Sequence, residues 1–149
     1  MSLGKKHLVI PDTQVKPGQD FTYLDQIGEL IVDERPDVVV HLGDHADMPS
    51  LSTHDKAGSK YFEGKRYSED IAASKAAMGR LLAPLRALQA NQRKLKEKLY
   101  KPRMVLTTGN HEQRIDRAVD NNPVLDGVIS RKDLQYEKDW EVHEFLDVV

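Results

Sequence analysis

Three short polar clusters in this chain carry the residue types that hold metals and activate water. They are Asp12, Thr13, Gln14; then Gly43, Asp44, His45, Ala46, Asp47; then Gly109, Asn110, His111, Glu112. Carboxylate oxygens, amide oxygens and imidazole nitrogens are the donors that divalent Mn, Fe and Zn accept. Each cluster follows a short run rich in Val, Ile and Leu, at residues 7–10, 38–42 and 104–108. Runs of that length and composition read as buried parallel strands. Three such strands bring the clusters to one edge of an open α/β sheet, the edge where ligands bind. One Asp or Asn after a strand is an ordinary turn or cap residue. Three together, so placed, point to a two-metal hydrolase.

The elements between the clusters must hold them in place. Asp12 and Asp44 are 32 positions apart, about one strand-helix-strand unit, which makes their clusters neighbours. Phe21, Leu24, Ile27, Leu30 and Ile31 recur at spacings of three and four, so they line one face of a helix that packs on the sheet. Pro36 ends that helix. Residues 46–65 are polar and rich in Pro, Ser and Gly, which reads as a long loop opening at the ligand edge. Next comes a long helical region with Ser68 as N-cap and Glu69 and Asp70 in its first turn. Its apolar stripe runs from Ile71 through Leu95 and Leu99 to Tyr100, with Pro84 as a kink or the start of a second helix. Residues 139–144 alternate as a strand.

The segments GDHAD and GNHE, in this order and each after a strand, resemble the GDxxD and GNHE signatures of calcineurin-like metallophosphoesterases. Asp12, Thr13 and Gln14 stand in the place of that family's DxH. The resemblance covers roughly residues 8–112 and is similar in form to a branch found in phage and prophage regions. It implies a layered α/β sheet with helices packed on it, part of a four-layer αββα fold. It implies metal-dependent hydrolysis of phosphomonoesters or phosphodiesters by a water activated between two divalent cations. Residue by residue, Asp12 and Gln14 bind one metal, Asp44 bridges both and Asn110 binds the second. His111 acts on the phosphoryl group and Asp47 orients the site. His45 and Arg114 are candidates to face substrate, and Glu112 to tie down its loop.

Two departures from the family bear on these implications. Gln14 replaces a His, and a neutral oxygen donor shifts preference from Zn towards Mn or Mg, with Mn the first expectation and Fe also an option. The family's downstream single His and GHxH segment are absent. After His111 the chain holds one more His, His143, while His7 and His54 read as structural or exposed. The ending at residues 145–149 is an apolar strand-like run. The expectation is therefore a single domain over residues 1–149 that is the N-terminal portion of the family fold, truncated at its C-terminus. The alternative is a non-catalytic module or inactive fragment on the same scaffold.

Composition excludes several classes. At 149 residues with 39% hydrophobic and 31% charged residues, the chain has no apolar stretch near the roughly 20 residues that span a bilayer. It shows no secretory signal, so the cytoplasm is the expected compartment. Zero Cys removes disulfides and thiolate metal sites. No GxSxG or Walker loop is present, which removes covalent hydrolase and NTPase chemistry. Net charge is −2, yet residues 86–103 hold seven basic residues against one acidic. That stretch reads first as a solvated helix face and second as a phosphate-backbone contact, leaving nucleic acid open as a partner.

Overall fold

A computed structural model describes residues 4–52 and 66–144. Four strands form one parallel sheet in the order β1 (His7–Ile10), β2 (Val38–His41), β3 (Arg103–Thr107), β4 (Glu141–His143). The three apolar runs are thus adjacent strands with β2 between the other two. The alternating segment supplies β4 beside β3. The architecture is α/β.

Among the described residues three α-helices join the strands: α1 (Thr22–Glu34), α2 (Tyr67–Lys94) and α3 (Gln113–Asn121). Strand neighbours share a face when they are in register. Leu8, Ile10, Val39, His41, Met104, Leu106 and Val142 therefore share one face of the sheet, and all but His41 belong to a single apolar core with Leu24, Ile31, Leu81 and Leu82 of α1 and α2. The opposite face is different. Val9 is 53% exposed there, and the Arg103–Glu141 ion pair lies between β3 and β4 at 2.7 Å.

Several expectations are corrected. Leu30 and Leu42 are exposed, because Leu30 falls off the buried stripe of α1 and Leu42 lies beyond the end of β2. Arg66, and not Ser68, is the N-cap of α2, and its side chain makes no capping bond. The helix stops at Lys94, so Leu95 and Leu99 lie in the following turn. Pro84 does not begin a second helix but lies inside α2. Its ring packs on α1 at Gly28, where a β-carbon would sit 2.9 Å from the ring and 2.4 Å from the Leu81 carbonyl oxygen. An internal proline costs roughly 3 kcal/mol, and here its ring is used in close helix-to-helix packing. Of the expected 46–65 loop, Pro49–Leu51 is a 3-10 turn; residues 53–65, with His54, lie outside the described residues, as does the apolar ending at 145–149.

Candidate functional site

The three clusters meet at the carboxyl edge of the sheet through backbone hydrogen bonds. Gln14 N donates to Asp44 O at 2.9 Å, Val15 N to His45 O at 2.7 Å, and Asp47 N back to Val15 O at 2.9 Å. The first two clusters are thereby zipped as a short parallel extension of β1 and β2. The third is joined to the second by side chains. His111 N donates to Asp44 Oδ1 at 2.8 Å. Asp44 thus touches both other clusters.

Glu112 bolts this junction from beneath. It is fully buried, and its carboxylate accepts from Asp44 N at 3.0 Å, His45 N at 2.9 Å, Gly109 N at 3.2 Å and the Tyr136 hydroxyl at 3.1 Å. Burial, with the nearby Asp44 charge, raises its pKa, and burial also pushes the Tyr136 hydroxyl far up. Two glycines make the close approach sterically possible. A β-carbon on Gly109 would lie 2.1 Å from Asp44 Oδ1, and one on Gly43 would lie 2.4 Å from Thr107 O. Asp44 and Gln14 hold positive φ, 52° and 47°, a conformation that costs a non-glycine residue roughly 1 kcal/mol.

Behind the junction runs a buried chain of neutral histidines whose tautomers follow from their partners. Gly43 N donates to His41 Nδ1 at 3.1 Å, so the proton of His41 is on Nε2, which faces Thr13 Oγ1 at 3.2 Å. Thr13 in turn donates to His45 Nδ1 at 2.7 Å, and His45 Nε2 donates to Ser74 O at 3.2 Å. Both rings have no exposed surface. Desolvation pulls His41 down to about 3, helped by the neighbouring His45, and His45 down to about 4.

The solvent side carries the other half of the site. Asp12, Gln14 and Asn110 are exposed, and their side chains have no hydrogen-bond partner among the described residues. His111 Nδ1 faces two acceptors on Asp47, the carbonyl at 3.0 Å and Oδ1 at 2.8 Å. Nδ1 therefore carries the proton, and Nε2 is the nitrogen left to act. Arg114 donates to Asp47 O at 2.9 Å and Arg117 to Asn110 O at 2.8 Å. Among the described residues neither arginine has a carboxylate partner.

The candidate residues thus divide. Asp12, Gln14, Asp44 and Asn110 come together on one edge, and Asp47 pairs with His111. His45 does not face substrate: it is enclosed, and both ring nitrogens are engaged. Among the described residues no three His, Cys, Asp or Glu side chains form a group that could hold a metal ion; the candidate set itself joins two carboxylates to two amides. Sequence reasoning missed His41, Ser74 and Tyr136. For His41 there was a signal, one polar residue inside an otherwise apolar strand; the other two gave none.

Two phage proteins are similar to this chain. The Gene 54 proteins of Mycobacterium phage D29 and Mycobacterium phage L5 are 37% and 34% identical over 112 residues. Those residues are 75% of this chain but 38% of each relative, so the chain spans well under half the length of the curated relatives it matches. No family model and no solved structure matches. Among the described residues no helix is long and apolar enough to cross a membrane.

Proposed function

We propose that the chain is the metal- and phosphate-binding portion of a calcineurin-like metallophosphoesterase that hydrolyses phosphoester bonds. One observation carries the reading. Asp44, held at positive φ between two glycines and bonded to both other clusters, sits among three exposed oxygen-donor side chains that have no other partner among the described residues. Unrelieved backbone strain at such a place marks function more often than stability. The half-open second face of the sheet is where the other sheet of an αββα fold would pack, and the matched phage relatives are longer than this chain.

Asp12, Gln14, Asp44 and Asn110 would hold the cation. An all-oxygen set of two carboxylates and two amides fits one hard divalent ion, Mn or Mg before Zn. A cation there supplies Lewis acidity towards a phosphoryl group and lowers the pKa of water. The chain does the rest. Asp47 fixes the His111 ring through Nδ1, which leaves Nε2 to hydrogen-bond a phosphoryl oxygen or, protonated, to give its proton to the leaving oxygen. Arg114 places a positive charge beside the same phosphate.

Manganese titration by calorimetry, with hydrolysis of bis-p-nitrophenyl phosphate, tests this. One weakly held ion per chain is expected, with low or undetectable turnover that rises in a chain extended to the length of the phage relatives. Asp44→Asn should abolish manganese binding while circular dichroism stays unchanged, because an amide oxygen can still accept from His111 N. Unchanged affinity in that variant would refute the assignment. Manganese binding without turnover in either chain would make the fold a binding module.

A further inference from the structure

The opposite end of the sheet carries an unrelated feature. Residues 86–103 bring a net +6 to a chain whose total is −2, which leaves −8 for everything else. Arg86 and Arg103 are taken up by Asp139 and Glu141. Arg93, Lys94, Lys96, Lys98 and Lys101 are exposed and have no carboxylate partner among the described residues. Cations in the last turn stabilise a helix through its dipole, which accounts for Arg93 and Lys94. It does not account for Lys96, Lys98 and Lys101, which lie beyond the helix.

The turn bearing those lysines is built, not loose. Buried Gln92 accepts from Tyr100 N at 2.9 Å through its side chain and from Glu97 N at 2.8 Å through its carbonyl, and Gln89 donates to Tyr100 O at 2.9 Å. Lys96 takes the left-handed conformation that closes the turn, φ 55°. Tyr100 then reaches across to the segment after α1, donating to Pro36 O at 2.6 Å, and the Arg35 guanidinium stacks 5.6 Å over its ring. A sixth cation from another element therefore joins the turn. A cavity of about 410 Å3 beside it is lined by Lys101 and Lys138 as well as the two paired arginines. The acidic neighbours are Glu97, Asp37, Asp139 and Glu141; Asp37 accepts from Lys6 N at 2.7 Å, and Asp139 and Glu141 are paired with Arg86 and Arg103.

We infer that this basic turn, with Arg35, Lys96, Lys98 and Lys101 at its centre, is a docking surface for the phosphate backbone of a nucleic-acid duplex. Cations carried on a fixed turn and paired with no carboxylate among the described residues suit a row of phosphates, and release of counterions drives such binding. A single strand is the poorer fit. Its bases need free aromatic faces, and Tyr100, the one aromatic in the stretch, is already covered by Arg35. The surface lies at the start of β3 and the candidate site at its end, about 15 Å away along the strand. It would anchor a long polyanion without touching the reacting group.

Fluorescence anisotropy with a labelled 20-base-pair DNA duplex, in EDTA over a salt series, tests this independently of any hydrolysis. Binding should weaken steeply with salt. Lys96→Glu/Lys98→Glu/Lys101→Glu should weaken it at least tenfold at 50 mM salt and cut the log–log salt slope by about 3. The equally charged control Lys5→Glu/Lys75→Glu/Lys132→Glu should change affinity by less than twofold. All six positions are exposed, and thermal melting checks that both triples fold. Absence of duplex binding, equal losses in the two triples, or tighter binding of the matching single strand would each overturn the inference.

Discussion

The candidate site has a buried half and an exposed half, and the two obey different rules. In the buried half, Glu112, His41, His45, Thr13 and Tyr136 are almost without solvent contact, and each has its polar atoms matched to a named partner. In the exposed half, the side chains of Asp12, Gln14 and Asn110 have no hydrogen-bond partner among the described residues. Burial makes an unmatched polar atom expensive, so these five residues are matched within the chain, and the exception beside them is the buried Ser74 hydroxyl, which has no partner among the described residues. Water satisfies the outer half at no cost, which leaves its donors ready to exchange water for a ligand. The comparison also separates residues within one motif: in Gly109, Asn110, His111 and Glu112, the last is scaffold and the middle two face outward.

The strongest way to break the comparison is Glu112→Ala. The buried His45 N–H, the part-buried Asp44 and Gly109 N–H groups and the Tyr136 hydroxyl lose their acceptor, at roughly 1–3 kcal/mol each, so a stability loss of about 5 kcal/mol is expected in urea unfolding. A loss under about 1 kcal/mol would mean that water reaches this carboxylate and the inner half is not sealed.

Acidification tests the same half through the histidines. Their pKa values are held near 3 and 4 in the fold and return to about 6.5 on unfolding. Below pH 6.5 the unfolded chain binds protons that the folded chain does not. Stability is therefore complete above about pH 6.5 and falls as pH falls, by up to about 1.4 kcal/mol per unit for each ring. Glu112, raised by burial, works with the opposite sign, one group against two. Glu141, held to about 2 chiefly by Arg103, matters only below the ordinary carboxylate range. Between pH 7.5 and 5.0 a net loss on the order of 2–4 kcal/mol is expected; equal stability at the two values would show that the rings are not kept neutral.

The smallest effect sharpens the comparison from the other side. Asp12→Ala and Asn110→Ala should each change unfolding free energy by less than about 0.5 kcal/mol, as exposed positions do, yet weaken manganese binding in calorimetry. A large stability loss in either would move that residue into the scaffold.

Much of this organisation is legible in the sequence. Short apolar runs of Val, Ile and Leu specify the strands by local composition, and the polar clusters after them fall at the strand ends for the same reason. The spacing of Leu24, Ile27 and Ile31 sets the buried face of α1. Pro84 lies inside α2 with its ring packed on Gly28 of a different helix, and no local signal at Pro84 announces that contact. Nor does the order of letters in Gly43, Asp44, His45 reveal that Asp44 stays at the edge while His45 turns inward. That choice rests on Thr13, Ser74 and Glu112, residues up to 67 positions away, whose donors and acceptors meet only when the chain is folded. Residue type and spacing determined which groups reach the sheet edge. Tertiary structure decided which of them are spent on holding it together, because only burial sets the cost of leaving a polar atom unmatched.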